Sequence, residues 1–208
     1  KSFYLKRLIA IFPLYYVVSI LYIIFLGKET LKQNLLLAPI EILGLQSVFT
    51  SIFDFTHNGG TWFVSCLMIC YLLYPYLQEL TKQIRNRTRF ILIGLCVFVL
   101  LWAPLIQISF RTGSIYANPF FRTLEFFIGV LLCSIYQSTK EHKAIRFLGS
   151  WPVAIASFTL LIVGVTRASK IGVPHDYMLY NWIGLPLFMI LLFGLACIPF
   201  QNKARPIT

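Results

Sequence analysis

Long stretches of apolar residues alternate along this chain with short segments that carry Lys and Arg. The stretch 62–77 has sixteen residues without a charge, ends on Tyr74, Pro75 and Tyr76, and is followed by four cations within a dozen positions. Such a stretch, with aromatic residues at its end and cations beyond, is typical of a helix that crosses a lipid bilayer. Gly59 and Gly60 before it would let the chain reverse direction sharply.

The same pattern predicts six crossings of the bilayer. The expected spans are 8–27, 62–77, 90–108, 119–136, 147–165 and 182–200. These lengths are close to the roughly 20 residues that a hydrocarbon core requires. Pro13 should kink the first span unless neighbouring helices satisfy the carbonyl that it leaves without a donor. We therefore predict an all-α fold, a polytopic transmembrane helix bundle in a single membrane domain over 1–208.

The segment 35–53 is apolar but also contains Pro39, Glu41, Gly44 and Gln46. A carboxylate at the bilayer centre costs about 3 kcal/mol on insertion scales. If this segment lies in the interface, twelve of the 18 Lys and Arg residues fall on one side of the membrane. If the segment crosses the bilayer, this excess of Lys and Arg on one side is lost. The positive-inside rule therefore predicts that this segment is interfacial or half-inserted, and that both ends of the chain lie in the cytoplasm.

Composition supports an integral membrane protein. Hydrophobic residues make up 58% of the chain and charged residues 12%, and the mean hydropathy is +0.78. The net charge of +11 does not indicate nucleic acid, because the cations occupy short gaps between apolar stretches, where they fix topology and face anionic headgroups or phosphates. The five cysteines lie in apolar segments without metal-ligand spacing, so we expect small buried side chains and no metal.

Two opposite charges stand out inside an apolar helix. Arg122 and Glu125 are three residues apart and would share one helix face. Burial of either charge alone is costly, so we expect a pair that faces the bundle interior. The pair could lock two helices, or it could contact substrate; Arg122 could also reach the interface. Ser65 is expected to pack or to hydrogen-bond within the bundle.

Other candidates lie near the ends of the spans. Lys6 and Arg7 precede the first span, where they could anchor the helix or clamp the phosphates of a nucleotide-bearing donor. His57 could be an exposed loop residue or a general base. His142 lies among charged residues, and His175 lies beside an aspartate without a nearby nucleophile, so solvated loops are expected for both.

Three stretches together resemble the membrane acyltransferase-3 family, whose bacterial members include O-acetyltransferases of surface polysaccharides. The first is 3–16, FYLKRLIAIFPLYY, with its basic pair, proline and aromatic residues. The second combines Leu-Gln-Ser at 45–47 with WFVS at 62–65 and YLLYP at 71–75. The third is 121–129, FRTLEFFIG, similar to the family's arginine, glutamate and glycine helix.

The resemblance implies transfer of an acyl group, most simply acetyl, from a cytoplasmic coenzyme A thioester to a hydroxyl of a cell-envelope polysaccharide or lipid-linked glycan. Acyl-CoA would be a co-substrate, with no permanently bound cofactor. The implied site residues are Arg122 and Glu125 for catalysis, Lys6 and Arg7 for donor binding, and Trp62, Ser65 and Tyr71 on the substrate-contacting helix.

The sequence also departs from the family pattern. The family often has a second arginine where Ala10 stands and a glutamate where Leu67 stands. Since the chain starts at Lys1 rather than at Met, we expect an internal fragment, with further helices and the general-base histidine outside it. Two alternatives to the enzyme remain at this stage: a subunit of a polysaccharide exporter or transporter, and a structural scaffold in which Arg122 and Glu125 tolerate apolar replacement as a pair.

Overall fold

The structure is a computed structural model that describes residues 2–26, 30–48, 59–110, 117–139, 147–148, 150–171 and 179–197. Helices and turns, and no strands, make up these described residues. Seven α-helices occur in them: α1 Ser2–Leu26, α2 Leu31–Ile42, α3 Trp62–Gln83, α4 Asn86–Phe110, α5 Pro119–Thr139, α6 Trp151–Ile171 and α7 Leu185–Cys197. A 3₁₀ turn, Gly59–Thr61, leads into α3, and a π-helix, Leu179–Gly184, leads into α7. The predicted all-α membrane fold is confirmed.

Four of these helices contain segments long and apolar enough to cross a membrane: Phe3–Phe25, Trp62–Gln83, Asn86–Ile106 and Pro119–Thr139. Two shorter apolar segments, Trp151–Arg167 and Asn181–Cys197, coincide with the fifth and sixth predicted spans. The helices generally extend past the apolar stretches on which the spans were predicted, because a helix continues into the polar region where water or headgroups can solvate its ends. The count of six crossings remains a prediction.

The first helix begins earlier than the sequence pattern predicts. The predicted span starts at residue 8, whereas α1 starts at Ser2, so Lys6 and Arg7 lie inside it. Long basic side chains extend from within a helix to polar surroundings, and they therefore do not mark its end. Pro13 also lies inside α1, within one continuous helix.

Helix α2 is bounded by two clear caps. Thr30 and Gln33 form a capping box at its start, with each side chain bonded to the backbone of the other residue. At its end Gly44 has a φ of 65°, and the amide of Leu45 donates to the carbonyl of Ile40 at 2.9 Å, as in a Schellman motif. The helix has 12 residues, about 18 Å, which is shorter than the hydrocarbon core. Residues 49–53 of the predicted interfacial segment lie outside the described residues.

The chain divides into two compact units: unit 1 is Lys1–Gln83 with Leu105–Ile128, and unit 2 is Ile84–Pro104 with Gly129–Thr208. Within unit 1, α1 and α3 run antiparallel. Phe3 stacks on Tyr74, the hydroxyl of Tyr4 donates to the carbonyl of Leu72, and Arg7 lies over Tyr71, so higher numbers on α1 meet lower numbers on α3. Antiparallel helices require that the intervening segment make no net crossing, the arrangement that an interfacial 35–53 would give.

Unit 2 packs through apolar and small residues. Ala154, Leu161 and Leu191 form a buried cluster between α6 and α7, with Leu187 and Leu195 packed against it. Gly194 lies so close to the chain at residue 148 that a Cβ added there would be 2.9 Å from the Leu148 carbonyl oxygen. Close backbone approach at small residues is a common basis of helix association in membranes.

Candidate functional site

The N-terminal turns of α5 in unit 1 carry the two predicted catalytic charges. Asn118 caps this helix: its side-chain oxygen accepts a hydrogen bond from the amide of Phe120 at 2.9 Å, and Pro119 follows at the first helical position. Arg122 and Glu125 therefore stand within the first two turns. A carboxylate there is favoured by the partial positive charge of a helix N-terminus.

Arg122 and Glu125 form an ion pair with short contacts. Nη1 of Arg122 donates to Oε1 of Glu125 at 2.7 Å and to Oε2 at 2.6 Å. The two side chains are only 21% and 26% exposed. Since one nitrogen serves both carboxylate oxygens, the carboxylate is held in a defined orientation and the pair is neutral as a whole, which lowers its cost in an apolar helix.

Trp62 connects this pair to α3. The Arg122 guanidinium lies 5.9 Å from the centroid of the Trp62 ring, within the range of a cation–π interaction. Trp62 is the first residue of α3, directly after the 3₁₀ turn Gly59–Thr61. Both ions of the pair lie on α5, and the contact of the guanidinium with the indole reaches a second helix.

Next to Trp62, a buried cluster of small polar side chains lines α3. Ser65 is fully buried, and its Oγ lies 2.7 Å from Oγ of Ser47. Cys66 contacts Ser47 Oγ at 3.4 Å and the carbonyl of Ala117 at 3.5 Å. Cys70, one turn later, contacts the carbonyl of Arg122 at 4.0 Å. These weak thiol contacts tie α3 to α5, and Ser65 is hydrogen-bonded as the sequence led us to expect.

The five cysteines were all expected to be small buried side chains, and the structure buries three of them. Cys66, Cys70 and Cys96 are buried, whereas Cys133 is exposed, and all five thiols are free. In the part of the chain that the structure describes, no three His, Cys, Asp or Glu side chains come together as metal ligands.

A second buried polar group joins α1 to the turn after α2. Tyr15 donates its hydroxyl hydrogen to the carbonyl of Glu41 and accepts a hydrogen bond from Nε2 of Gln46 at 2.6 Å. Gln46 is 1% exposed. Tyr16 donates to the carbonyl of Ile42 at 2.8 Å. These three bonds fix the turn against α1, and Ser47 is thereby placed against Ser65.

Arg7 lies between aromatic rings near the middle of α3. Its guanidinium is 5.4 Å from the ring centroid of Phe3 and 5.1 Å from that of Tyr71. Phe3 in turn stacks on Tyr74 with 5.4 Å between ring centroids. Lys6 is exposed and lies about 100° around the helix from Arg7. The two predicted donor-binding cations therefore face different neighbours.

The predicted site residues thus fall into two groups along α3. Trp62 and Ser65 lie with Arg122 and Glu125, whereas Tyr71 lies with Arg7, about 14 Å further along the helix axis. Lys6 belongs to neither group. The histidines His57, His142 and His175 lie outside the described residues, so the sequence-based hypotheses about them stay as they were.

Sequence reasoning missed several members of the site, above all Ser47, Gln46 and Tyr15. Gln46 and Ser47 occur in one of the stretches that carry the family resemblance, but nothing in the sequence shows which partners they meet. The available signal was their polarity within an apolar segment, because such side chains need a partner when they are buried. Those partners, Tyr15 and Ser65, lie 31 and 18 residues away.

Comparison with known proteins identifies the family of this chain. A family model described as an acyltransferase domain matches residues 1–206. No match is found among curated proteins or among solved structures. The match covers nearly the whole chain and supports the enzyme over the exporter hypothesis. The chain therefore belongs to the acyltransferase-3 family of membrane enzymes, which transfer acyl groups other than amino-acyl groups.

Proposed function

We propose that the protein is an O-acetyltransferase that moves an acetyl group from acetyl-CoA to a hydroxyl of a cell-envelope polysaccharide or of a lipid-linked glycan. The observation that carries this proposal is the Arg122–Glu125 pair held against Trp62. Transfer from a thioester to a hydroxyl needs positive charge where an oxyanion develops, and Arg122 is a positioned cation on the helix that packs beside the buried Ser65 of α3.

In the proposed reaction the acceptor oxygen attacks the thioester carbonyl. A C–O bond forms, the C–S bond breaks, and coenzyme A leaves as a thiol with the proton that the hydroxyl loses. Arg122 stabilises the negative charge on the carbonyl oxygen, because a guanidinium carries its charge at any accessible pH. Glu125 orients that guanidinium through its two hydrogen bonds. Trp62 holds it from the side of α3.

The donor is proposed to bind through Arg7, near the middle of α3. A guanidinium matches phosphate oxygens with paired N–H donors, and stacking on Phe3 and Tyr71 restricts its orientation before the donor arrives. The long pantetheine arm of acetyl-CoA would then run along α3 toward Trp62. In this proposal the N-terminal end of α1 lies in the cytoplasm, the orientation that the charge asymmetry of the sequence favours. The glycan acceptor would lie on the opposite side of the membrane.

The test is incorporation of labelled acetyl from acetyl-CoA into glycan by the full-length protein in membranes. Arg122→Ala and Glu125→Ala should each lower the rate about 10²-fold or more, the scale reported for loss of one oxyanion donor. Arg7→Gln should instead raise the KM for acetyl-CoA, with a much smaller effect on kcat.

The matched control is Lys82→Gln. Lys82 and Glu79 have the same i, i+3 spacing on a helix, but their contact is 3.4 Å and both side chains are about 60% exposed. Such a pair contributes little, so the rate should stay within about twofold of wild type. Wild-type turnover in the Arg122 and Glu125 variants, at equal protein abundance, would contradict the proposed site; label from a long-chain acyl-CoA but not from acetyl-CoA would contradict the proposed donor.

A further inference from the structure

An apolar groove runs along the outer side of α1 in unit 1. It is lined by Ile9, Phe12, Pro13 and Tyr16 of α1 and by Ile42 and Leu43 at the end of α2, and its volume is about 480 Å³. Several lining side chains are strongly exposed, Ile9 at 64% and Leu43 at 61%. Because α1 is a membrane-spanning segment by length and composition, hydrocarbon chains are the surroundings of this groove.

One end of this groove carries a positive charge. Lys6 lies three residues before Ile9 and seven before Pro13, so helical periodicity places it on the same face of α1 as these two lining residues. Arg7 is turned away toward Tyr71 of α3. Of these two neighbouring cations, Arg7 thus contacts aromatic rings and Lys6 lies beside the apolar groove.

We propose that this groove is a binding site for one anionic phospholipid, with an acyl chain along the groove and the phosphate headgroup at Lys6. The apolar walls match the chain, and the ammonium of Lys6 matches the phosphate as a compact charge at the level of the headgroups. The exposed Lys6 lies on the side of α1 that carries Ile9 and Pro13, at the edge of the groove. A lipid at this place does not require the proposed acetyl transfer.

The bound lipid would also support the fold of unit 1. The hydrogen bond from the Tyr16 hydroxyl to the carbonyl of Ile42, 2.8 Å long, joins the two walls of the groove. An acyl chain laid over it excludes water and headgroups from this bond. The same turn holds Gln46 and Ser47, so the lipid would brace the segment that positions Ser47 against Ser65.

The test is native mass spectrometry of the full-length protein with phosphatidylglycerol and phosphatidylethanolamine that carry identical acyl chains. Wild type should retain the anionic lipid preferentially. Lys6→Gln should reduce this preference about fivefold, the effect of about 1 kcal/mol for one cation near a membrane surface. Ile9→Trp, which fills the groove at an exposed position, should reduce retention of both lipids.

The control is Lys82→Gln, which removes an exposed cation from α3 and should leave the lipid preference unchanged. An unchanged preference in Lys6→Gln would overturn the proposal. So would displacement of the retained phosphatidylglycerol by coenzyme A, because Lys6 would then bind the phosphates of the donor rather than those of a lipid. Unaltered retention of both lipids in Ile9→Trp would overturn the placement of the chain.

Discussion

The two units hold their helices together with different kinds of contact. In unit 1 the contacts that join α1, the turn after α2, α3 and α5 include a cation on an indole, paired serine hydroxyls and a tyrosine bound to a buried amide. In unit 2 the contacts between α6 and α7 are those of Ala154, Leu161 and Leu191, with close approach at a glycine. Buried polar groups in a membrane are costly, so a network of them that joins several helices in unit 1 indicates a function beyond packing.

Unit 2 also contains polar contacts. The guanidinium of the buried Arg89 donates to Oδ1 of Asn86 and to Oγ of Ser138, and so joins α4 to α5.

A second set of polar contacts in unit 2 completes the backbone of α4. Pro104 in α4 has no N–H, so the carbonyl of Leu100 lacks its usual intrahelical donor. Asn181 donates to that carbonyl at 2.7 Å, and the indole N–H of Trp182 donates to the carbonyl of Leu101 at 2.7 Å. Both donors come from the π-helix Leu179–Gly184, a conformation that places them side by side against α4. A polar side chain here completes a helix rather than forming a site.

The largest expected effect on stability concerns the Arg122–Glu125 pair. Arg122→Met or Glu125→Leu alone leaves one charge unpaired and should lower the free energy of unfolding by about 3–5 kcal/mol. The double replacement removes both charges and should recover most of that loss, because apolar pairs often match or exceed buried ion pairs in stability. Unfolding in mixed detergent micelles measures all three variants. Additive losses in the double variant would contradict the coupling of these two side chains.

Gly194 tests the packing of unit 2. Gly194→Ala places a Cβ 2.9 Å from the backbone oxygen of Leu148, and the resulting shift should cost about 1–3 kcal/mol. The matched control is Gly94→Ala, since nothing lies within 4 Å of a Cβ added there. The control should be neutral or stabilising by up to about 1 kcal/mol, through helix propensity. Equal effects of the two variants would contradict close packing at Gly194.

A substitution at Asn181 tests whether its side chain serves the carbonyl that Pro104 leaves without a donor. Asn181→Leu should cost about 1–2 kcal/mol, because the carbonyl of Leu100 loses its donor. Pro104→Ala restores an N–H to α4, so in this background the cost of Asn181→Leu should shrink to a few tenths of a kcal/mol. The measurement is a double-mutant cycle on the free energy of unfolding. A coupling energy of zero would show that Asn181 does not serve the carbonyl that the proline exposes.

The smallest expected difference concerns two adjacent tyrosines in unit 1. Tyr15→Phe removes the acceptor of the buried Gln46 amide, and should cost about 1–2 kcal/mol. Tyr16→Phe removes one bond of an exposed side chain, and should cost about 0.5 kcal/mol. Thermal unfolding of the two single variants compares them directly. A larger loss for Tyr16→Phe would contradict the assignment of Tyr15 to the buried network.

The helices were predictable where local signals mark their ends. The spans predicted to begin at 62 and at 119 start where α3 and α5 start, after the Gly-Gly turn and at a proline that suits the first position of a helix. The predicted start of α1 is wrong. The prediction places Lys6 and Arg7 before the helix, whereas both residues lie within it and their long side chains can reach polar surroundings from there. Charge marks the membrane side of a segment, but it does not fix the residue at which the helix begins.

The site was predictable only where both partners lie on one helix. Arg122 and Glu125 are three residues apart, so helix periodicity alone predicts their contact. Ser47 meets Ser65, and Gln46 meets Tyr15, only because the turn at Gly44 brings the chain back against α1 and α3. The different surroundings of Arg7 and Lys6 likewise depend on which neighbouring element packs against each face of α1. These outcomes are tertiary, and no local pattern contains them.

The most direct test of a chemical role for the Arg122–Glu125 pair is the acetyl-transfer rate of the double variant Arg122→Met/Glu125→Leu. We expect it to be as stable as wild type within about 1 kcal/mol and nevertheless to lose about 10²-fold or more of the rate, because the positioned cation is absent. A stable double variant that transfers acetyl at the wild-type rate would show that the pair only holds the helix in place.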